Sequence, residues 1–420
     1  MYKILVLSEE ADSLGWLAKL VCEGCEVKMF TKLASEREAG RGIVTQVKNW
    51  ESHIKWCDFV ICDSNIFGKE AELIRKMNVP VIGPTKETEE LETDRAKGLS
   101  WLESYGINCG EWTKENLTPD EAIKFAQANP GRWVAKPSCN ADKDLTLVSK
   151  DTEDLIEFLT ANKAKYKGKL ILQKFVEGGH EIAVSFIVCG GRILSPLAIN
   201  FEYKKLYNGD LGCNTGQQGD GIIWTDQTSL MEEVDKLRPY FEESDYSGVW
   251  DLAFMATEAE LVCMEITPRF GYNTSHDMHE NLNCQLSEYL QALATGTLDD
   301  VPILEEAACG IVISAAGYPY KESYEIHGKG KYIKKIEEIY SPGMMIYHME
   351  KDDQGIKTSG NYGSILCAIG LGKDIKSATK HAYEIIKSYD LDKNLAYRTD
   401  INEKLMKEDL PWFQENGYLT

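Results

Sequence analysis

A lysine that closes a short apolar strand and meets a polar loop can neutralise phosphate oxygens. Lys136 stands so in Trp133-Val134-Ala135-Lys136-Pro137. The loop behind it, 137–144, carries Lys143, which can fold over the same phosphates. Further on, Gln173-Lys174-Phe175-Val176 ends another strand in a connector, Glu177-Gly178-Gly179, able to offer backbone groups to an adenine edge. Glu181 opens the next strand, within reach of ribose hydroxyls. A third feature, Glu265-Ile266-Thr267-Pro268-Arg269, puts a carboxylate at a strand end and an arginine four residues on. That pattern suits a magnesium ligand beside a phosphate clamp. Magnesium takes one or two carboxylates plus substrate phosphates, and Asp251 on the preceding strand is the nearest second candidate. Each feature alone also fits an ordinary strand end or turn; the three together point to nucleotide chemistry.

The elements that must position them alternate between strand and helix. Strands are expected at Lys3–Leu7, Glu26–Phe30, Asp58–Asp63 and Val79–Pro84, with helices at Asp12–Cys22 and Lys69–Met77 between them, which implies a small parallel sheet. A helix follows from Lys86 to Tyr105. A compact αβ unit then holds Lys136, with strands at Leu145–Ser149 and Leu170–Phe175. After the strand Glu181–Val188 comes a glycine-rich stretch, Asn208–Gly216. A strand pair at Gly248–Met255 and Leu261–Ile266 leads to a last αβ segment from about residue 306.

Bulk properties narrow the function classes. The chain has 420 residues, 43% hydrophobic and 10% aromatic, as folded multi-domain proteins do. A net charge of −21 argues against general nucleic-acid binding. The longest apolar runs are strand-length, far short of the ~20 residues of a membrane span. The 12 cysteines show no framework spacing, which with the absence of a leader pattern gives a cytoplasmic expectation. Cys22-Glu23-Gly24-Cys25 sits where a helix ends and reads as packing rather than redox or zinc chemistry. His276 and His279 likewise read as ordinary surface or packing residues rather than metal ligands. A dinucleotide oxidoreductase is excluded, because residues 8–13 lack G-x-G-x-x-G.

Order and spacing of these motifs resemble the ATP-grasp superfamily, and within it phosphoribosylamine–glycine ligase (glycinamide ribonucleotide synthetase). The resemblance rests on Gly83-Pro84-Thr85-Lys86 with Leu91-Glu92-Thr93-Asp94-Arg95, and above all on Asn208-Gly209-Asp210-Leu211-Gly212-Cys213-Asn214-Thr215-Gly216. Ala316-Gly317-Tyr318-Pro319, Thr358-Ser359-Gly360 and Tyr397-Arg398-Thr399-Asp400-Ile401 follow in the family's order. It implies an α/β (α+β) ATP-grasp fold: a Rossmann-like N-terminal domain (1–85), a core (86–118 and 177–305), a small lobe (119–176) and a C-terminal αβ domain (306–420). It also implies ATP and Mg2+ or Mn2+, with Arg95, Lys136 and Lys143 on phosphates and Gln173, Phe175 and Val176 at adenine. Glu181 would take the ribose, Glu265 and Asp251 the metal, and Arg269 with an Asn214–Thr215–Gly216 loop the reacting carboxylate. The partners implied are an amino acid and an amine, in a monomer or homodimer.

The departures gather in the substrate regions. Where the family has a glycine-rich anion nest, this chain has Ser8-Glu9-Glu10-Ala11-Asp12-Ser13. Family arginine and acidic positions become Gly360-Asn361-Tyr362-Gly363 and Tyr272-Asn273-Thr274, and the E-x-N metal pair is Glu265-x-Thr267. Each lost charge-assisted phosphate contact is worth ~1.5–3 kcal/mol. The main reading is therefore an ATP-dependent carboxylate–amine ligase whose acceptor differs from phosphoribosylamine. The alternatives are the orthodox purine-pathway ligase and a non-catalytic nucleotide-binding regulator.

Overall fold

The computed structural model describes residues 1–138, 145–166, 168–244 and 246–420; Lys143 lies outside them. The first sheet is five-stranded and parallel in the order β3-β2-β1-β4-β5, formed by β1 (Lys3–Ser8), β2 (Glu26–Thr31), β3 (Thr45–Gln46), β4 (Phe59–Cys62) and β5 (Val81–Ile82). Central β1 is apolar along its length because both its faces are covered; Ile4 to Leu7 are wholly buried. This is the expected Rossmann-like start, and the loop after β1 emerges at the carboxyl end of the sheet, where such folds hold ligands.

A three-stranded sheet, order β7-β6-β8, carries Lys136 on β6 (Trp133–Pro137), flanked by β7 (Leu147–Val148) and β8 (Leu170–Lys174). The expected long helix over 86–105 is two helices, Lys86–Thr93 and Arg95–Ser104. Asp94 breaks it, because its extended backbone lets its carboxylate cap the second helix at the Lys97 amide.

Nine of the remaining strands form one sheet. Its main path is β14-β13-β9-β11-β12-β15-β19-β16, and β10 (Arg192–Ile193) pairs with β9. The path uses β9 (His180–Cys189), β11 (Leu197–Tyr207), β12 (Leu211–Thr225), β13 (Gly248–Ala256) and β14 (Leu261–Thr267), continued by β15 (Ala307–Ser314), β16 (Met344–Ile346) and β19 (Ser364–Gly372). A separate hairpin joins β17 (Met349–Asp352) to β18 (Gly355–Thr358). The segment from 306 thus extends the core's own sheet, with β12 pairing β15 at Gly219 and Ile311.

The glycine-rich stretch 208–216 is not an irregular loop. Only Asn208–Asp210 turns, with Gly209 at φ 68° and Asp210 at φ 54°; Asn214, Thr215 and Gly216 lie on β12, in a long hairpin with β11. The helix Tyr272–Glu280 is buried from Asn273 onward and crosses β15 so closely that a Cβ at Gly310 would sit 2.0 Å from Asn273 Nδ2. Its other side meets the helix Leu14–Cys22, where Lys19 donates to the His279 carbonyl at 2.8 Å. The N-terminal sheet is thereby fastened against the large one.

Candidate active site

Alternation along four neighbouring strands builds the floor of a cavity of about 360 Å3. Side chains two apart on a strand share a face, so β9 contributes Glu181, Ala183 and Ser185, and β11 contributes Asn200, Glu202 and Lys204. Asp251 and Ala253 of β13 and Glu265 and Thr267 of β14 complete it; pairing of Asp251 with Thr267 and of Ala253 with Glu265 puts both candidate metal carboxylates on that face. Arg95 comes from the helix Arg95–Ser104, and Asn214, Thr215, Gly216 and Arg269 close the far side.

Charge is concentrated around Glu265. Arg95 Nη1 donates to it at 2.7 Å. Burial pushes the Glu265 carboxyl up, but Arg95, Lys136 and Lys204 together hold it well below the usual carboxylate range. Lys204 pairs with Glu202 at 3.1 Å and Glu181 at 3.2 Å. Lys136 Nζ donates to Gln173 Oε1 at 2.9 Å and to the Met264 carbonyl at 3.3 Å. Burial lowers its pKa to about 8, opposed by Glu265 and aided by the cations Arg95 and Lys204. Three cations thus bear on Glu265, with Lys204 shared among Glu265, Glu202 and Glu181, an arrangement suited to phosphates bridged by a divalent cation. The oxygen donors Glu265, Glu202 and Asp251 fit a hard divalent cation. No preformed cluster of three or more His, Cys, Asp or Glu ligands occurs among the described residues, so phosphate oxygens would complete such a cation's shell.

Most of the residues singled out in the sequence converge here: Arg95, Glu181, Asp251, Glu265, Arg269 and Asn214–Gly216 line one cavity. Gln173 takes another place. Its side chain is 1% exposed, accepts from Lys136 and donates to the Cys109 and Cys263 carbonyls at 3.3 and 3.4 Å, so it fixes the lysine. Phe175 lies under the Arg132 guanidinium, 3.7 Å from its ring centre, and Val176 is in the connector after β8; neither lines the cavity. His276 and His279 are buried packing residues; His276 Nδ1 meets the Tyr272 carbonyl at 2.9 Å and burial lowers its pKa to about 4. Cys22 and Cys25 are free thiols. Lys204 and Glu202 escaped the motif reading, although their spacing from Asn200 on an alternating strand carried the signal.

Two further cavities adjoin the first. One, about 510 Å3, runs along the loop after β1 and shares Glu92, Arg95, Arg269 and Tyr272 with it. The other, about 520 Å3, shares Asn214–Gln217 and Tyr272. Glu10, Asp12 and Tyr362 line both of these, so the three rewritten stretches, 8–13, 272–274 and 361–362, meet in space. Arg269 is held there by Glu92 at 3.1 Å. Beneath lies His348, with Nε2 3.4 Å from Asp12 and Nδ1 3.4 Å from Glu36. Burial disfavours its charge, but the two carboxylates raise its pKa to about 10, so it is an imidazolium at neutral pH.

Residues 308–404 match the family Phosphoribosylglycinamide synthetase, C domain. The chain is 25% identical over 368 residues to a phosphoribosylamine–glycine ligase from Vibrio parahaemolyticus, covering 82% of this chain and 83% of that one. Its fold is similar to the crystal structure of phosphoribosylamine–glycine ligase from Thermotoga maritima, with TM-score 0.73, 23% identity and coverage of 95% and 100% of the two chains. The biotin carboxylase domain of the Hydrogenobacter thermophilus 2-oxoglutarate carboxylase, solved with MgADP, ADP and bicarbonate, has TM-score 0.66 at 14% identity, covering 100% of this chain and 96% of that one. At these identities the structural likenesses speak to fold. The names of the relatives side with the orthodox alternative for the amine rather than with a different acceptor. No helix among the described residues is long and apolar enough to cross a membrane.

Proposed function

We propose that the chain is an ATP-grasp ligase resembling phosphoribosylamine–glycine ligase, and that it joins a carboxylate to an amine through an acyl-phosphate, converting ATP to ADP and phosphate. The observation that carries this is the convergence on Glu265 of Arg95 and Lys204, in the cavity that also holds Arg269 and Asn214–Gly216, with the charge of Lys136 acting from behind the lining. The three cations draw the triphosphate in and neutralise charge as the γ-phosphoryl group passes to the carboxylate; catalysis of that step is positioning and electrostatics. Glu265, with Glu202 or Asp251 beside it, would hold magnesium, which screens the phosphate oxygens when bound. Arg269, fixed by Glu92, faces the acyl-phosphate from the acceptor side. The amine then attacks the acyl carbon, the C–N bond forms, and phosphate leaves with the C–O bonding pair and the amine's proton.

For the amine, the relatives' names favour phosphoribosylamine with glycine as its partner. The acidic loop after β1 favours an acceptor without phosphate. The reaction class is tested independently of this choice with hydroxylamine as acceptor. With ATP, Mg2+ and a panel of amino acids, hydroxamate and ADP should appear in equal amounts. ATP binding with neither product across the panel would instead support the regulator reading.

Lys136 gives a pH dependence. Its pKa of about 8 means that the free protein loses this cation as pH rises from 7 to 9. Bound phosphates favour the charged form, so ATP binding above pH 8 must take up a proton. Calorimetric affinity should fall by roughly tenfold per pH unit there, and Lys136→Met should abolish the dependence. A flat wild-type profile would contradict the role given to Lys136.

A further inference from the structure

The cavities on the acceptor side carry a charge and wall chemistry that the nucleotide side does not explain. Glu9, Glu10, Asp12 and Asp63 line the cavity along the loop after β1. The cations that line it are already paired, Arg95 with Glu265 at 2.7 Å and Arg269 with Glu92, itself in the lining, at 3.1 Å. The adjoining cavity is walled by Tyr272, Tyr318, Tyr320, Tyr347 and Tyr362, with no lysine or arginine in its lining among the described residues. Tyr362, at the position where the family pattern has an arginine, donates instead to Glu10 Oε1 at 2.8 Å. His348 offsets part of the negative charge, but Asp12 and Glu36 already bracket it.

A second observation also points to a ligand with N–H donors. Asn65 lines the acidic cavity and is 5% exposed; its Nδ2 donates to the Thr88 carbonyl and Glu92, while its Oδ1 is buried without a hydrogen-bond partner. An ammonium group in this cavity would bring N–H donors to its carboxylates and to the side of the cavity where Asn65 lies. Burial raises the carboxyl groups of Glu10 and Asp63, to about 7 and about 6; Glu10 accepts from Tyr362 and Asp63 from Ser13 and Ser64, but no cation among the described residues pairs with either. A phosphate dianion placed here would meet carboxylates where it needs donors.

We infer that the acceptor is an organic cation free of phosphate, an amine carrying at least one further ammonium group of the diamine or polyamine kind. One nitrogen, unprotonated, attacks the acyl carbon. The other remains charged between Glu10, Asp12 and Asp63, with its methylenes and charge against tyrosine faces. The inference rests on the ligase reading, and its test separates the two. Using an amino acid that gives hydroxamate, ADP release is measured with 1,4-diaminobutane, spermidine, butylamine, and phosphoribosylamine generated from ribose 5-phosphate and ammonia.

The expected result is a kcat/KM for the diamine or spermidine at least about tenfold above both butylamine and phosphoribosylamine, the scale of one charge-assisted hydrogen bond. Mass spectrometry should find the corresponding amide. Glu10→Gln should raise the diamine KM by a larger factor than the hydroxylamine KM. Hydroxamate formation without acceleration by the diamine or spermidine would overturn the inference, as would parity with butylamine or a preference for phosphoribosylamine. Should no amino acid give hydroxamate, the ligase reading fails first. Calorimetry with spermidine and ATP then decides the cavity: no binding in the millimolar range, or binding unchanged in Glu10→Gln, overturns the inference as well.

Discussion

Replacing Glu265 by glutamine should lower ATP-dependent hydroxamate formation by about 10^3-fold, equivalent to ~4 kcal/mol of transition-state stabilisation. The substitution keeps the shape of the side chain and removes the carboxylate on which Arg95, Lys136 and Lys204 all bear. Two consequences separate. The Mg2+ dependence of ATP binding should disappear, because the carboxylate proposed to share magnesium with the phosphates is gone. ATP binding without Mg2+ should persist or tighten, since one carboxylate that competes with phosphate for Arg95, Lys136 and Lys204 is then gone. Rates within about tenfold of the wild type, with Mg2+ dependence intact, would remove Glu265 from the metal site.

The second large effect falls on stability. His348→Ala should cost ~3–5 kcal/mol, because it leaves a buried carboxylate without its cation. Glu36 is wholly buried, and its remaining partners are neutral donors, the Asn361 amide at 3.2 Å, Asn361 Nδ2 at 2.6 Å and Ser35 Oγ at 3.4 Å. The folded protein holds the His348 proton up to about pH 10, against about 6.5 in the unfolded chain. The stabilisation is therefore complete below pH 6.5, falls away as pH rises through this window, and is gone above 10. Urea unfolding should show wild-type stability declining over that range and a shallower decline in the variant. Parallel pH profiles would contradict the ion-pair assignment.

How much of this was legible in the sequence depended on whether the signal was local. Glu265 and Arg269 stood out because a carboxylate and an arginine at a strand end are close in sequence and in space. Asp251, singled out as the nearest carboxylate on the preceding strand, lies on the cavity face with Glu265 because the two strands pair in that register. The same alternation applied to Asn200, Glu202 and Lys204 would have found Lys204, but no motif drew attention to that strand. Asn208–Gly216 read as a loop because glycines usually mark turns. Here they leave room for a hairpin, which puts Asn214–Gly216 on a strand facing the cavity. Gln173 was given to adenine, whereas the fold turns it inward to hold Lys136. Nothing local could announce His348 and Glu36, which meet from segments more than 300 residues apart. The acidic loop after β1 was visible as a departure from the family pattern; that it meets Tyr272 and Tyr362 is a property of the fold.

The central claim is that the carboxylate attacks the γ-phosphate before the amine arrives, and oxygen transfer tests it most directly. An amino acid labelled with 18O in both carboxyl oxygens is turned over with ATP, Mg2+ and hydroxylamine, and the released phosphate is analysed by mass spectrometry. Attack by the carboxylate predicts one labelled oxygen in each phosphate released alongside hydroxamate. Unlabelled phosphate accompanying the same yield of ADP would mean that water, not the carboxylate, takes the phosphoryl group, and would contradict the account.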